Sequence, residues 1–153
     1  MAEGVRHLNP EGLPTNAAYS QAVAVTGPAT TVYVGGQNAV AAAGAVVGRD
    51  DLKAQTVQAL RNLEVALAAG GATLEHVVKW CVYVVQGQPV QAGLEGFQEV
   101  WGRRPNPPAI TVLFVAGLAQ PDCLVEIDAV AVVPHAAEPV AAADAAPKAG
   151  PRC

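Results

Sequence analysis

Residues Val77–Val85, VVKWCVYVV, form an apolar run broken only by Lys79. Its length suits a strand, and a strand apolar at consecutive positions needs cover on both faces. The segment Cys123–Val133, CLVEIDAVAVV, makes the same demand. Side chains alternate along a strand, so Leu124, Glu126, Asp128, Val130 and Val132 point one way. Val125, Ile127, Ala129, Ala131 and Val133 point the other. Apolar residues therefore stand on both sides, and whatever fold holds these strands has to bury both.

The elements available for that burial are few. Asp50 or Asp51 caps the clearest helix, in which Leu52, Val57, Leu60, Leu63 and Leu67 form one stripe and Gly70-Gly71 ends the turn. Lys53, Gln58, Arg61 and Glu64 lie off that stripe. A second helix spans Val90–Trp101 with Leu94, Phe97 and Trp101 on one face, although Gly93 and Gly96 count against it. Pro105, Pro107 and Pro108 enforce an extended loop before the strand Ile110–Val115. Near the N-terminus, Ala22–Val25 and Thr31–Gly35 flank Gly27-Pro28, which predicts a hairpin. Ala39–Val47 reads as a small-residue loop or a weak third strand. The order is ββ(β)αβαββ, an α/β (α+β) sheet with two helices on one face. Two helices cannot cover both faces, so copies of the chain are expected to cover the second, as a homo-oligomer.

Composition agrees. At 153 residues the chain is one domain in size. Hydrophobic residues make up 52% and charged residues 14%, so part of the surface is expected in an interface. The net charge of −4 and the scattered Lys and Arg offer no basic stripe, so no nucleic-acid partner is expected. No apolar run reaches the roughly 18–20 residues of a membrane span. Met1–Pro10 lacks a secretory apolar region, and the odd trio Cys81, Cys123 and Cys153 forms no C-x-x-C pair. A cytoplasmic location follows as an expectation. Residues 134–153, rich in Ala and Pro, read as a flexible tail outside a domain of residues 1–133.

Chemistry-bearing motifs are sparse. No phosphate loop, dinucleotide fingerprint, EF-hand or zinc spacing is present, so neither cofactor nor metal is expected. His7, His76 and His135 fall at a strand start, a helix-to-strand loop and the tail, which argues against a shared metal. Ser20 has no G-x-S-x-G setting. Glu126 and Asp128 share a strand face amid apolar residues, where a carboxylate is costly unless it meets water, a partner or a ligand. They read either as a structural or subunit-interface pair or as a general acid/base. Cys81 reads as a small core residue, and Cys123 as an inert thiol or an accessible one. Tyr19 either binds a ligand through its hydroxyl or anchors its loop.

Taken in order, several stretches resemble the RidA/YjgF family, which includes enamine/imine deaminases. Asn9-Pro10 with Gly12-Leu13-Pro14, Ala18-Tyr19-Ser20-Gln21-Ala22 and Val34-Gly35-Gly36-Gln37 resemble its N-terminal motifs, with Gly35 where serine is usual. Gln55-Thr56, Ala59–Leu63 and Val77-Val78-Lys79 match its first helix and the next strand. Pro108-Ala109 and Leu124–Ala129 resemble its last two strands. The resemblance covers about residues 9–133 and rests on order and spacing.

It implies a chorismate-mutase-like homotrimer with small-molecule clefts at the subunit interfaces. In the deaminating members an arginine after the Pro-Ala pair grips the substrate carboxylate, and a glutamate of the last strand positions the attacking water. Here the glutamate is matched by Glu126 and the tyrosine by Tyr19, but the arginine position holds Ile110. Losing a bidentate guanidinium contact costs about 2–5 kcal/mol of binding. Gly35, Gly36, Leu94, Ile110, Thr111 and Cys123 are the expected ligand-lining positions, more apolar than the family pattern. Leu94 stands about where an asparagine is frequent. Arg103 and Arg104 are either a substitute cation or a solvated loop pair. The expected function is hydrolysis or tautomerisation of an apolar imine or enamine, not standard 2-imino-acid deamination. The alternative is a non-catalytic ligand-binding or protein-interaction trimer. Ribonuclease activity lacks both a histidine pair and a basic groove.

Overall fold

Helix α1 (Leu52–Ala69) begins where expected, because Asp51 accepts a hydrogen bond from the Ala54 N–H at 3.0 Å. It ends on Gly70-Gly71, with Gly71 at φ +74°, a conformation that costs glycine little. The computed structural model describes residues 4–135. Around α1 they form strands β1 (Gly4–Leu8), β2 (Ala22–Thr26), β3 (Ala29–Asn38), β4 (Val77–Val85), β5 (Ala109–Val115) and β6 (Val125–Pro134). Helix α2 (Val90–Trp101) joins β4 to β5, and a 3-10 turn, Leu74–His76, leads into β4.

The main sheet runs β3-β6-β4-β5. Strands β4 and β5 are parallel, as a helical crossover requires, and the other neighbours are antiparallel. Both helices pack on one face. There Leu60, Leu63 and Leu67 of α1 meet Trp80, Val125, Ile127 and Ala129 of the sheet. Gly93 and Gly96 do not weaken α2; they let it approach α1. A Cβ on Gly96 would stand 2.7 Å from the Lys53 carbonyl oxygen, and one on Gly93 would stand 3.3 Å from Leu52. Trp101 and Phe97 close the far end of the core around Trp80, whose ring meets both at 75°.

The other sheet face has no helix. On it Lys79, Cys81, Tyr83, Glu126, Asp128 and Val130 are half-buried, and Tyr33 is 80% exposed. Among the described residues, no helix is long and apolar enough to cross a membrane.

Two expectations change. β2 and β3 do not form a hairpin: β2 pairs with β1 in a separate two-stranded ribbon, while β3 pairs with β6. A tight Gly-Pro turn marks a change of direction without choosing the partner, and the longer β6 offers β3 more pairing. The third early strand is β1, whereas Ala39–Val47 is a loop held by a single bridge between Val40 and Val46. Pro134, where the expected tail starts, is the last residue of β6, and the His135 N–H donates to the Pro28 carbonyl at 3.0 Å. The rest of that segment lies outside the described residues.

Candidate functional site

Glu126 stands on the open face of β6, opposite a break in β3. Pairing runs from Val34–Ala129 to Gln37–Ile127, so Gly35 and Gly36 face Asp128 alone. This is a β-bulge, which bends a strand and re-aims its neighbours. The bulge presses the Gly36 backbone on the carboxylate: a Cβ there would lie 2.2 Å from Glu126 Oε1. Any side chain at 36 would therefore displace the Glu126 carboxylate. The Asn38 amide donates to Glu126 Oε2 at 3.4 Å. Asn38 is itself held from α1, where Asn62 donates to the Asn38 and Val40 carbonyls at 2.9 and 2.8 Å. Gly35 is exposed with open space before it.

The loop before β6 is clamped by a residue whose role the sequence reading missed. Gln55, fully buried in α1, donates to the Gly48 and Asp122 carbonyls at 3.2 and 2.8 Å. It accepts from the Leu124 N–H at 2.7 Å. An amide on the apolar stripe of a helix was the available signal, since burial there demands partners. Cys123, between two of those anchors, is 4% exposed. Burial pushes its thiol up from the ordinary value, with the charges of Asp122 and Glu126 adding to it and a backbone hydrogen bond from Ala39 opposing. It is not an accessible thiol, because the clamp holds it inside.

Further along the open face, Tyr83 donates to Asp128 Oδ2 at 3.0 Å and Lys79 donates to Thr111 Oγ1 at 2.5 Å. The bond to Asp128, and then its charge, push the Tyr83 phenol up from 10.0 to about 12. Asp128 is thereby partnered within the protomer, and Glu126 remains the carboxylate held by an amide alone. Thr111 does face the open side, through Lys79.

The remaining predicted residues lie elsewhere. Ile110 pairs with Trp80 and packs against the core, on the helix side of the sheet. Beyond it, α2 and β5 enclose a groove of about 160 Å³ lined by Leu94, Phe97, Val112 and Phe114, with Thr56 at its base. The Thr56 hydroxyl is spent on the Leu52 carbonyl at 2.8 Å, so the groove presents hydrocarbon. Tyr19, half-buried, follows Ala17 and Ala18, which line a hollow with Leu94, Arg103 and Arg104. The adjacent Ser20 N–H donates to the Pro108 carbonyl at 3.1 Å, which ties this loop to the start of β5. Arg104 caps the end of α2 by donating to the Val100 carbonyl at 2.9 Å and to that of Trp101, and it stacks over the Trp101 ring. It is a structural cation; Arg103 is exposed. One protomer thus carries Gly36, Glu126 and Thr111 on one face and Leu94 and Ile110 on the other. Among the described residues no cluster of three or more His, Cys, Asp or Glu side chains could hold a metal ion.

Comparison with known proteins gives a consistent family. Residues 11–133 match the family model described as endoribonuclease L-PSP. A RutC family protein of Pyrococcus abyssi is 30% identical over 113 residues, which span 74% of this chain and 84% of the relative. The structure of the Rid-family protein YyfB from Yersinia pestis superposes with a TM-score of 0.76 at 34% identity, over 85% of this chain and 99% of that one. Rv2704 from Mycobacterium tuberculosis, of the YjgF/YER057c/UK114 family, gives 0.56 at 36% identity, over 75% and 86%. With its mixed sheet, two helices on one face and motif order, the chain belongs to the Rid/YjgF family and has its chorismate-mutase-like fold.

Proposed function

We propose that the chain works as a homotrimer with small-molecule clefts between subunits, and that Glu126 acts there as acid/base on a neutral, apolar imine or enamine. The observation that carries this is the division of the site. The carboxylate and its bulge face one side of the sheet, and the apolar groove by Leu94 faces the other, so only a second copy can bring the two halves together. In hydrolysis Glu126 takes a proton from the water that attacks the C=N carbon and delivers it to the nitrogen, giving a carbinolamine; moving the hydroxyl proton to that nitrogen then breaks the C–N bond, releasing ammonia and leaving a carbonyl. In tautomerisation it moves a proton between carbon and nitrogen by the same means.

Substrate choice follows from charge. The family arginine position is Ile110, Arg104 is occupied at the end of α2, and the groove has no free polar group to hold a carboxylate. The reading therefore makes 2-imino acids poor substrates, and Arg103, exposed in the hollow beside Leu94, is the cation that would have to hold their carboxylate. A non-catalytic trimer is the second reading, favoured by the same hydrocarbon lining.

Ammonia release is to be followed from 2-imino acids generated in situ and from a neutral cyclohexyl-type imine, with oligomeric state measured by light scattering. The expected result is a trimer that accelerates the neutral imine alone, with Glu126→Gln lowering the rate about 100-fold. A trimer silent on both compounds supports the binding-only reading, and a monomer sinks both readings.

A further inference from the structure

We propose that a pocket between the β1–β2 ribbon and the main sheet is a second ligand site, which takes a small neutral molecule by an amide-type edge, an N–H beside a C=O. The pocket measures about 400 Å³. His7 of β1 and His76 of the 3-10 turn, remote in sequence, both line it, together with Val5, Val132, Glu75 and Asn106.

The hydrogen bonds fix the two imidazoles in opposite tautomers. His7 Nδ1 lies 3.0 Å from the Pro107 carbonyl oxygen and 3.2 Å from Ser20 Oγ. The Ser20 hydroxyl itself donates to that carbonyl at 2.5 Å. A carbonyl oxygen only accepts, so Nδ1 carries the hydrogen and Nε2 of the neutral ring keeps a bare lone pair. In His76 the order is reversed. The Thr73 backbone N–H donates to Nδ1 at 3.0 Å, so Nδ1 is bare and Nε2 carries the hydrogen. Each ring is held by a backbone group and has one nitrogen left over: an acceptor on His7 and a donor on His76. A ligand with a donor beside an acceptor satisfies both, as a lactam, urea or ring amide does.

The same bonds exclude other occupants. A metal ion would need the Nε2 lone pair of His76, which requires a hydrogen on Nδ1 facing the Thr73 N–H. An RNA or other polyanion would meet the Glu75 carboxylate, and among the described residues no Lys or Arg lines the pocket. None of these residues belongs to the Glu126 site, so this inference stands or falls apart from the function proposed above.

The probe is 2-pyridone, with N-methyl-2-pyridone as the control that lacks the donor, titrated into the full chain while both imidazoles are observed by long-range 1H–15N correlation. The variants are His7→Asn, whose amide N–H replaces the Nδ1 donor, and His76→Asn, whose amide oxygen replaces the Nδ1 acceptor. Each keeps the structural bond and removes only the Nε2 arm. The expected result is an Nδ1–H tautomer at His7, an Nε2–H tautomer at His76, and saturable shifts of both rings with 2-pyridone. Either variant weakens that binding by roughly tenfold, and N-methylation of the probe does at least as much. Other tautomers in the unliganded protein, absence of saturable shifts, equal binding of the two probes, or binding unmoved by both variants overturns the proposal.

Discussion

Strand β6 presents two surfaces that belong to different worlds. On its helix side Val125, Ile127, Ala129 and Ala131 are each no more than 2% exposed and packed under α1. On its open side Glu126, Asp128 and Val130 are half-buried, and their partners are polar or absent. The same backbone carries both, one residue out of phase. The helix side stores stability, since each buried aliphatic side chain contributes about 1.5–3 kcal/mol. The open side holds its polar groups in place without sealing them from solvent in the protomer, as the proposed chemistry requires.

Substitutions on the two sides should therefore separate. The largest effect belongs to the helix side: Leu63→Ala, at a fully buried site, is expected to cost about 2–5 kcal/mol in urea unfolding. Tyr33→Ala on the open side should leave protomer stability within about 0.5 kcal/mol and instead raise the protein concentration at which the proposed trimer dissociates on dilution. A stability loss at Tyr33 as large as that at Leu63 would break the comparison.

Gln55→Leu comes next. It leaves the Asp122 carbonyl and the Leu124 N–H without their partner, for about 2–3 kcal/mol in the same assay. Alkylation of Cys123 should also accelerate, because the loop that hides it is then released. Ile110→Arg places a guanidinium beside Trp80 on the core side and should cost about 1–2 kcal/mol. Its activity is thus to be read alongside its melting temperature.

Smaller in stability but sharper for the site is Gly36→Ala. Its Cβ meets the end of a flexible side chain, so unfolding should shift by under about 1 kcal/mol while Glu126 is pushed from its place. Loss of ligand binding or turnover without loss of stability is the signature to look for. The subtlest test is pH. A phenol raised to about 12 in the folded state contributes stability that is fully present below pH 10. That contribution is lost as pH rises from 10 through 12. Asp128→Asn should bring the Tyr83 midpoint, read by ultraviolet titration, back toward 10.

Much of this molecule was legible beforehand because its signals are local. The cap at Asp51, the stripe from Leu52 to Leu67 and the Gly70-Gly71 stop lie within one helix, and all three are where periodicity put them. The alternation along β6 was equally visible. Gln55 and the two clustered histidines were not, for one reason. Gln55 stands on an apolar stripe where burial demands partners, but Asp122 and Leu124, which answer it, are 67 and 69 residues away and no local pattern names them, just as none brings His7 and His76 to one pocket. The β2–β3 hairpin failed in the same way, since a turn says where the chain reverses and not which strand it will meet.

By itself, then, the sequence determined the order of the elements, the family and the need to cover a second sheet face. These follow from short-range periodicity, capping and motif spacing. Only the tertiary structure decided that Ile110 turns to the core while Glu126 turns away from it, that Arg104 is consumed at the end of α2, and that His7 and His76 line one pocket. Each of these depends on strand register and long-range pairing. A shift of one residue in register reverses the face of every side chain, and no local pattern records it.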